Sequence, residues 1–393
     1  MREVAIIGVG AHATGQFSDK PLKDIAYPAV RDALADAGVE PDDLDVAYVG
    51  NSLGGLLTGQ EGVRGQVMLQ HSGITGIPIV NVENACASAA TAFRGAWLEV
   101  ASGAADVALA LGAEKMFVGD SARTIGALSA VSELDLSQMG MQFTTSYAIH
   151  PKINLKARMQ EYGWTIEDFA KPAVKNSANG ALNPLAQHRR PLTIEQVVQS
   201  RVIVDPLTLY MCSSISDGAA AAVVCSLDVA QKFSGKKPIR IVSCTLRSGV
   251  YRLPHDVRPD TAATTAQAAY EEAGIGPDDL EAIELHDAVA PAELMLYERL
   301  GLCRPGEGPK LIDDGVTTLN GRVPVNSSGG LCARGHPVGA TGLLQIAELV
   351  WQMRGEAGAR QIEQRPKVTM AQNQGGLLLG QDSAVYCCTI LKS

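Results

Sequence analysis

The sequence predicts a layered α/β fold made of two copies of one βαβ unit, and three observations carry that reading. The stretch "DAGVEPDDLDVAYV" (36–49) recurs as "EAGIGPDDLEAIEL" (272–285), with Pro41-Asp42-Asp43-Leu44 matched by Pro277-Asp278-Asp279-Leu280, 236 residues later (277 − 41). Each copy opens with an apolar strand ("EVAIIGVG" from 3, "IRIVSCTL" from 239), runs through an Ala-rich helical segment stopped by Gly38 or Gly274, and turns through PDDL into a second strand. The 393 residues, 46% hydrophobic, suffice for a large core spanning both copies. Strand, helix, strand in that order means stacked layers of helix and sheet.

The repeat offset leaves 157 residues for the second copy (393 − 236), so the first copy must carry an insertion, placed at about 115–205. The expected organisation is an N-terminal half over 1–238, including that insertion, and a C-terminal half over 239–393. Within the insertion, "INLKARMQEYGWTIEDFAKPAVKNS" reads as helix, followed by the loop "NPLAQHRRPL". Long insertions in compact domains serve as lids or binding surfaces. Beyond it, "MCSSISDGAAAAVVCSL" (211–227) returns to a buried strand. In the last strand, "SAVYCCTIL", the adjacent Cys387 and Cys388 must point to opposite faces, where each acts as a small buried hydrophobe.

Composition excludes several classes of function. A net charge of −9, with no basic run longer than His188-Arg189-Arg190, argues against nucleic-acid binding. No apolar run nears the roughly 20 residues of a membrane span, and the apolar stretch in "MREVAIIGVGAH" is too brief for a signal peptide, so a cytoplasmic location is expected. Eight cysteines without CxxC or Cys/His ligand spacing form neither a disulfide framework nor a zinc site, and no metal is expected. The glycine-rich "GVGAHATG" (8–15) lacks GxGxxG spacing and has Gln16 where a P-loop needs Lys.

Chemistry concentrates in three turns. In "NVENACASAATAF" (81–93), Cys86 stands where a strand gives way to small residues that start a helix at about 86. There the helix N-terminus is expected to lower the thiol pKa and offer N–H donors. The segment "IELHDAVAPAEL" (283–294) delivers His286 at a strand-to-helix junction, with Asp287 in N-cap position. In "NSSGGLCARGHPVGATG" (326–342), His336 lies in a Gly-rich turn before a small-residue helix, the second copy's counterpart of the Cys86 turn. A nucleophile with two imidazoles at related strand ends is a set suited to covalent catalysis.

These residues carry a resemblance to the thiolase superfamily, and within it to the sterol-carrier-protein-type thiolases in a stand-alone form. "ENACASA", "DPLTLYMCSSISDGAAA" (205–221), "HDAVAPAELMLYERLGL" (286–302), "GGLCARGHPVGATG" (329–342) and "AQNQGGLLLG" (371–380) span both halves. The resemblance implies a five-layered αβαβα fold and a homodimer through the N-terminal half, or a dimer of dimers. It implies thiolytic cleavage, or the reverse Claisen-type formation, of a 3-oxoacyl-CoA with coenzyme A as substrate. Cys86 would be acylated, His336 would activate it, and His286 would line the oxyanion site with Asn373, Gly375 and Gly376 in the active-site loop. Several relatives work with a small separate partner carrying a zinc ribbon and an OB-like fold, which extends the expectation to such a subunit here.

The departures from that pattern keep alternatives open. Thiolases use a second cysteine as acid/base, and at its two usual places this chain has Ala288 and the turn beginning at Gln372. A histidine could take over proton transfer, Cys332 could substitute, or the substrate could need no second thiol; the first asks least, and Cys332 reads as a core residue. A decarboxylative condensing enzyme or retro-aldolase of this fold is one alternative activity. A non-catalytic scaffold subunit is another.

Overall fold

The computed structural model describes residues 1–139, 155–233, 236–252, 259–380 and 383–393. Strand β1 (Val4–Gly15) leads to helix α1 (Leu22–Ala37), ended by Gly38 at φ 66°, a left-handed turn that a residue without Cβ adopts at no steric cost. A 3-10 turn at Pro41–Asp43 enters β2 (Val46–Gly50), and α2 (Arg64–His71), β3 (Ile79–Val82), α3 (Ser88–Ser102) and β4 (Val107–Glu114) follow. Next come α4 (Ser121–Leu128), α5 (Leu155–Tyr162), α6 (Ile166–Ala181), the short hairpin β5 (Val202–Val204) and β6 (Leu207–Thr208), and the fully buried β7 (Asp217–Ser226).

The second copy repeats the plan with β8 (Ile239–Ser248), α7 (Thr261–Ala273) capped by Gly274 at φ 63°, the same 3-10 turn at Pro277–Asp279, and β9 (Ala282–Glu284). Helices α8 (Ala290–Arg299), α9 (Gly330–Ala333) and α10 (Thr341–Arg354) precede β10 (Val368–Gly375) and β11 (Val385–Lys392).

Sheet order makes the duplication visible. Among the described residues, nine strands join in the order β3-β2-β4-β7-β1-β8-β11-β10-β9, so that β1, β7, β4, β2 read outward on one side as β8, β11, β10, β9 do on the other. Strand β2 runs parallel to β3 and β4, and β9 runs parallel to β10. Within each parallel set the loops at the carboxyl ends lie along one edge, where ligand sites in α/β sheets form, and the two sets run in opposite directions along the sheet.

Strand alternation builds the layers. In β7, Ala219, Ala221, Val223 and Cys225 face a core shared with α1 and α2, while Ala220, Ala222 and Val224 face a second core around Phe93 and Trp97 of α3 and Leu343 and Ile346 of α10. That second core also takes Ile239, Ile241 and Leu391 from the other half, so α3 and α10 form the middle of five layers. The outermost helices of the second half, α7 and α8, pack with α6 against Tyr386, Cys388 and Ile390. Cys387 packs instead with Ala87 and Ala90, on the face opposite Cys388.

The structure differs from the sequence reading in the insertion, where one helix was expected over "INLKARMQEYGWTIEDFAKPAVKNS". Two helices form, because Gly163 takes φ 69° and Thr165 caps α6: its hydroxyl accepts from the Asp168 N–H at 3.3 Å while the Asp168 carboxylate accepts from the Thr165 N–H at 2.8 Å. The beginning of that stretch, with the rest of 140–154, lies outside the described residues.

Candidate active site

Cys86 sits in a 3-10 turn, Ala85–Ala87, that feeds directly into α3. Local hydrogen bonds set this turn: the Asn84 N–H donates to Ser88 Oγ at 2.9 Å, Ser88 Oγ donates to the Ala85 carbonyl at 2.7 Å, and Glu83 accepts from the Ala85 N–H at 2.7 Å. Ala85 is held at φ 49°, a strained conformation for a residue with a Cβ. The small residues after the cysteine answer to crowding. A Cβ on Gly342 of α10 would lie 2.7 Å from the Ala90 nitrogen, and one on Gly112 would lie 2.6 Å from the Ala89 Cβ. The Gly-rich loop closes in from the other side, where a Cβ on Gly375 would meet the Cys86 nitrogen at 2.8 Å.

Fold symmetry brings the His336 turn to the same place. A 3-10 turn at Val338–Ala340 precedes α10 just as Ala85–Ala87 precedes α3. Buried Glu114, at the end of β4, accepts from the N–H groups of Ser52 and Leu53 in one half and of Gly339 in the other, the last at 2.9 Å. The His336 N–H donates to Ser216 Oγ at 3.0 Å, and Nδ1 lies 2.7 Å from Thr341 Oγ1. Because the Thr341 hydroxyl donates its one proton to the Pro337 carbonyl at 3.0 Å, it must accept from His336 Nδ1–H. Nε2 then carries a lone pair, and it is buried with no hydrogen-bond partner among the described residues.

His286 follows β9 and has the opposite polarity. Gln345 donates through Nε2 to the Gln372 carbonyl at 3.0 Å, so its Oε1 accepts, and Asn373 Nδ2 supplies that proton at 3.0 Å. The same Asn373 amide group stands 3.3 Å from His286 Nδ1, which therefore accepts and leaves the proton on Nε2. Gln372, named in the sequence as one place of the absent thiol, accepts from the His286 backbone N–H at 3.1 Å, and Ala288 lines the cavity beside Cys86.

Cys86, His286 and His336 are all buried and each offers one ligand atom within 4.8 Å of the others, so the three predicted residues do come together. Such a set can hold a thiophilic cation. Burial lowers the pKa of His286 to about 3 and that of His336 well below its ordinary value; both rest neutral.

Two expectations need correction. The Cys86 thiol is pushed up to about 12 rather than lowered, because burial and the nearby Glu114 carboxylate outweigh the backbone N–H groups of Cys86 and Gly376 that favour thiolate. Asp287 does not cap the helix that follows it: Val289 is the N-cap residue of α8, and Asp287 Oδ1 accepts from the Leu331 N–H of α9 at 2.8 Å. Cys332 packs against the C-terminal-half core and points its thiol at the Asp287 carbonyl, 3.4 Å away.

A cavity of about 250 Å³ opens above Cys86 and His336. Its walls come from Met116, from Ile125, Leu128, Ser129 and Val131 at α4 and the turn after it, and from Ile203, Cys212–Ile215, Ala288 and Val338, largely apolar side chains that no periodicity marks. Thr341, Gln345, Ser216 and Glu114 were also missed as site residues. Thr341 lies inside the quoted GHPVGATG stretch, but its role depends on the Pro337 carbonyl that fixes its proton.

A model of the thiolase N-terminal domain matches residues 4–228 and one described as thiolase C-terminal domain-like matches 252–387. The acetyl-CoA acetyltransferase of Methanothermobacter thermautotrophicus is 40% identical over 391 residues, 98% of this chain and 99% of that protein. Benzoylsuccinyl-CoA thiolase subunit BbsB of Thauera aromatica is 39% identical over 391 residues, 99% of this chain and 98% of that protein. A solved structure described as an Ltp2-ChsH2(DUF35) aldolase superposes with a TM-score of 0.81 at 27% identity, covering 100% of this chain and 98% of that one. Human mitochondrial 3-ketoacyl-CoA thiolase matches in fold, with a TM-score of 0.74 at 19% identity over 100% of this chain and 99% of that one.

Proposed function

The chain belongs to the thiolase family, and from that premise we propose that it is a CoA-dependent acyltransferase acting through an acyl-Cys86 intermediate on a 3-oxoacyl-CoA. The observation that carries this reading is the pairing of opposite tautomers beside the thiol: His336 presents a bare Nε2, and His286 presents Nε2–H. One is a base and the other a donor for an oxyanion.

In the cleavage direction, His336 Nε2 takes the Cys86 proton as the sulfur bonds to C3 of the substrate. The oxygen that gains charge accepts from His286 Nε2–H. The C2–C3 bond then breaks with its electron pair passing to C2, the proton on His336 is delivered there, and acetyl-CoA leaves. Free CoA, deprotonated by the same imidazole, attacks the acyl-Cys86 thioester; the bond from the acyl carbon to the Cys86 sulfur breaks, the sulfur takes the proton back from His336, and the shortened acyl-CoA departs. Neither Ala288 nor Gln372 offers a thiol for the proton at C2, so a histidine carries it. The backbone N–H groups of Cys86 and Gly376 favour negative charge at the sulfur, and they are the donors assigned to the thioester oxygen of the second step.

Intact-mass spectrometry with peptide mapping, after mixing the protein with acyl-CoA esters, tests the reading. An adduct on Cys86 that disappears in Cys86→Ala is expected, with loss of carbon–carbon cleavage. Cleavage at a comparable rate in Cys86→Ala would sink it. A second reading, retro-aldol cleavage, draws on the likeness to the Ltp2-ChsH2(DUF35) aldolase and on the absent second thiol; cleavage without any acyl adduct would select it. The absence of both cleavage and adduct would point to a scaffold subunit.

The same reading covers assembly. Strand β3 lies at the sheet edge with Val80 39% exposed, which supports a homodimer, or a dimer of dimers, through the N-terminal half. A small zinc-ribbon/OB-fold partner subunit is part of the proposal, as is a cytoplasmic location; among the described residues no helix is long and apolar enough to cross a membrane.

A further inference from the structure

From the cavity at Cys86 we infer that the acyl group transferred is an uncharged, apolar one of intermediate size, from a six-carbon chain to a single ring with a short linker, and neither acetyl nor a carboxylated acyl. The inference rests on the proposed acyl-Cys86 chemistry and deepens it.

Size comes first. A cavity of 150 Å³ is enough to hold a benzene ring, six carbons; by the same scale the 250 Å³ here takes about ten carbons. The end of the thioester arm must share that space, so ten is an upper bound. A fused tetracyclic nucleus overshoots it. Acetyl would leave most of it unfilled, and the contacts forgone with Met116, Leu128 and Val131 are those that would hold a longer substrate in place.

Charge is the second argument. Among the described residues the lining holds no Lys, Arg, Asp or Glu, and its one titratable cation candidate, His336, is committed to the thiol and rests neutral. Cys86 itself belongs to an apolar cluster with Leu53, Leu57, Met116, Val131 and Val338. A terminal carboxylate on the acyl group would be taken out of water beside these side chains without a partner, a penalty that only a paired cation offsets. The hydroxyl-bearing stretch Ser213-Ser214 lies on one wall and can orient a carbonyl without neutralising a charge.

The mouth of the cavity is marked by Ile125, which lines it while remaining 49% exposed; Leu128, one turn further along α4, is half-buried inside. Leu128, inside the mouth and only partly buried, is thus a residue whose enlargement shortens the cavity.

The test compares acyl-enzyme formation on the full chain with acetyl-, butanoyl-, hexanoyl-, phenylacetyl- and succinyl-CoA, read by intact mass against time, and repeats the series with Leu128→Trp. Hexanoyl and phenylacetyl esters are expected to load Cys86 more than 100-fold faster than acetyl, and succinyl more slowly than butanoyl, its uncharged analogue of similar length. Leu128→Trp is expected to lower the hexanoyl-to-acetyl ratio at least tenfold. Fastest loading by acetyl, succinyl loading on a par with butanoyl, or an unchanged ratio in Leu128→Trp would each overturn the inference while leaving acyl-Cys86 chemistry standing. No loading by any ester would instead overturn the acyl-Cys86 reading, and this inference with it.

Discussion

The imidazoles of His286 and His336 stand edge to face, ring centroids 5.0 Å apart at an interplanar angle of 81°, and their hydrogen bonds put them in opposite protonation patterns. His336 gives up Nδ1–H to Thr341, and His286 accepts at Nδ1 from Asn373. The two rings are alike in burial and in their depressed pKa, so the proposed division of labour between them rests on two neighbouring side chains.

Thr341→Val removes the acceptor for His336 Nδ1–H while keeping the side-chain shape. The ring is then free to adopt the other tautomer, which places a proton where the thiol proton must go. Acyl-enzyme formation is expected to fall about 10-fold to 100-fold with KM changed little, and Thr341→Ser to restore most of it. Equal loss in the Val and Ser variants would show that Thr341 acts through packing.

Gly375→Ala forces a Cβ to within 2.6 Å of the Asn84 carbonyl and 2.8 Å of the Cys86 and Ala87 nitrogens, all backbone atoms that cannot rotate away. Stability should drop by roughly 1–3 kcal/mol in urea unfolding. Because the strain falls on the turn of Cys86, the proposed nucleophile, acylation should fall about 100-fold, far more than the stability loss alone explains. A fully active, destabilised variant would contradict this placement.

A thiol with a pKa pushed up to about 12 is almost entirely protonated near neutrality. The rate of Cys86 alkylation by iodoacetamide should therefore rise close to tenfold per pH unit from 7 to 10, where an ordinary exposed thiol levels off above about 8.5. The sign follows from burial, which favours the neutral thiol and the neutral imidazole; in the proposed mechanism proton transfer awaits the substrate. A rate that is high and flat between pH 6 and 8 would reveal a thiolate–imidazolium pair instead.

One ligand atom each from Cys86, His286 and His336, all within 4.8 Å, should let Zn²⁺ act as an inhibitor. Zinc bonds of about 2.3 Å to sulfur and about 2.0 Å to nitrogen need the three atoms to close up slightly. Inhibition at micromolar Zn²⁺, reversed by EDTA and prevented by prior acylation of Cys86, is the expected result, with His286→Asn raising the half-inhibitory concentration at least tenfold. Indifference to millimolar Zn²⁺ would rule the geometry out.

The internal repeat, and the helix-ending glycines Gly38 and Gly274, were readable along the chain because they are local: a turn, a cap and a strand period each involve a few adjacent residues. Cys86, His286 and His336 were readable for the same reason, each being the distinctive side chain of a strand-to-helix turn. Tertiary packing decided most of their chemistry. The thiol pKa moved against the helix-terminus expectation because desolvation and the field of Glu114, which lies 28 residues away in sequence (114 − 86), outweigh the local N–H groups. The His336 tautomer depends on Thr341 and Pro337 within its own turn, whereas that of His286 depends on Asn373 and Gln345, which come together only when α10 and β10 pack, and Asp287 found its partner in α9 rather than in its own helix. The cavity walls come from Met116, Leu128, Ile203, Ile215, Ala288 and Val338 among others, segments adjacent only in space. Patterning is short-ranged and survives in one dimension; burial and electrostatics sum over neighbours that folding brings from afar.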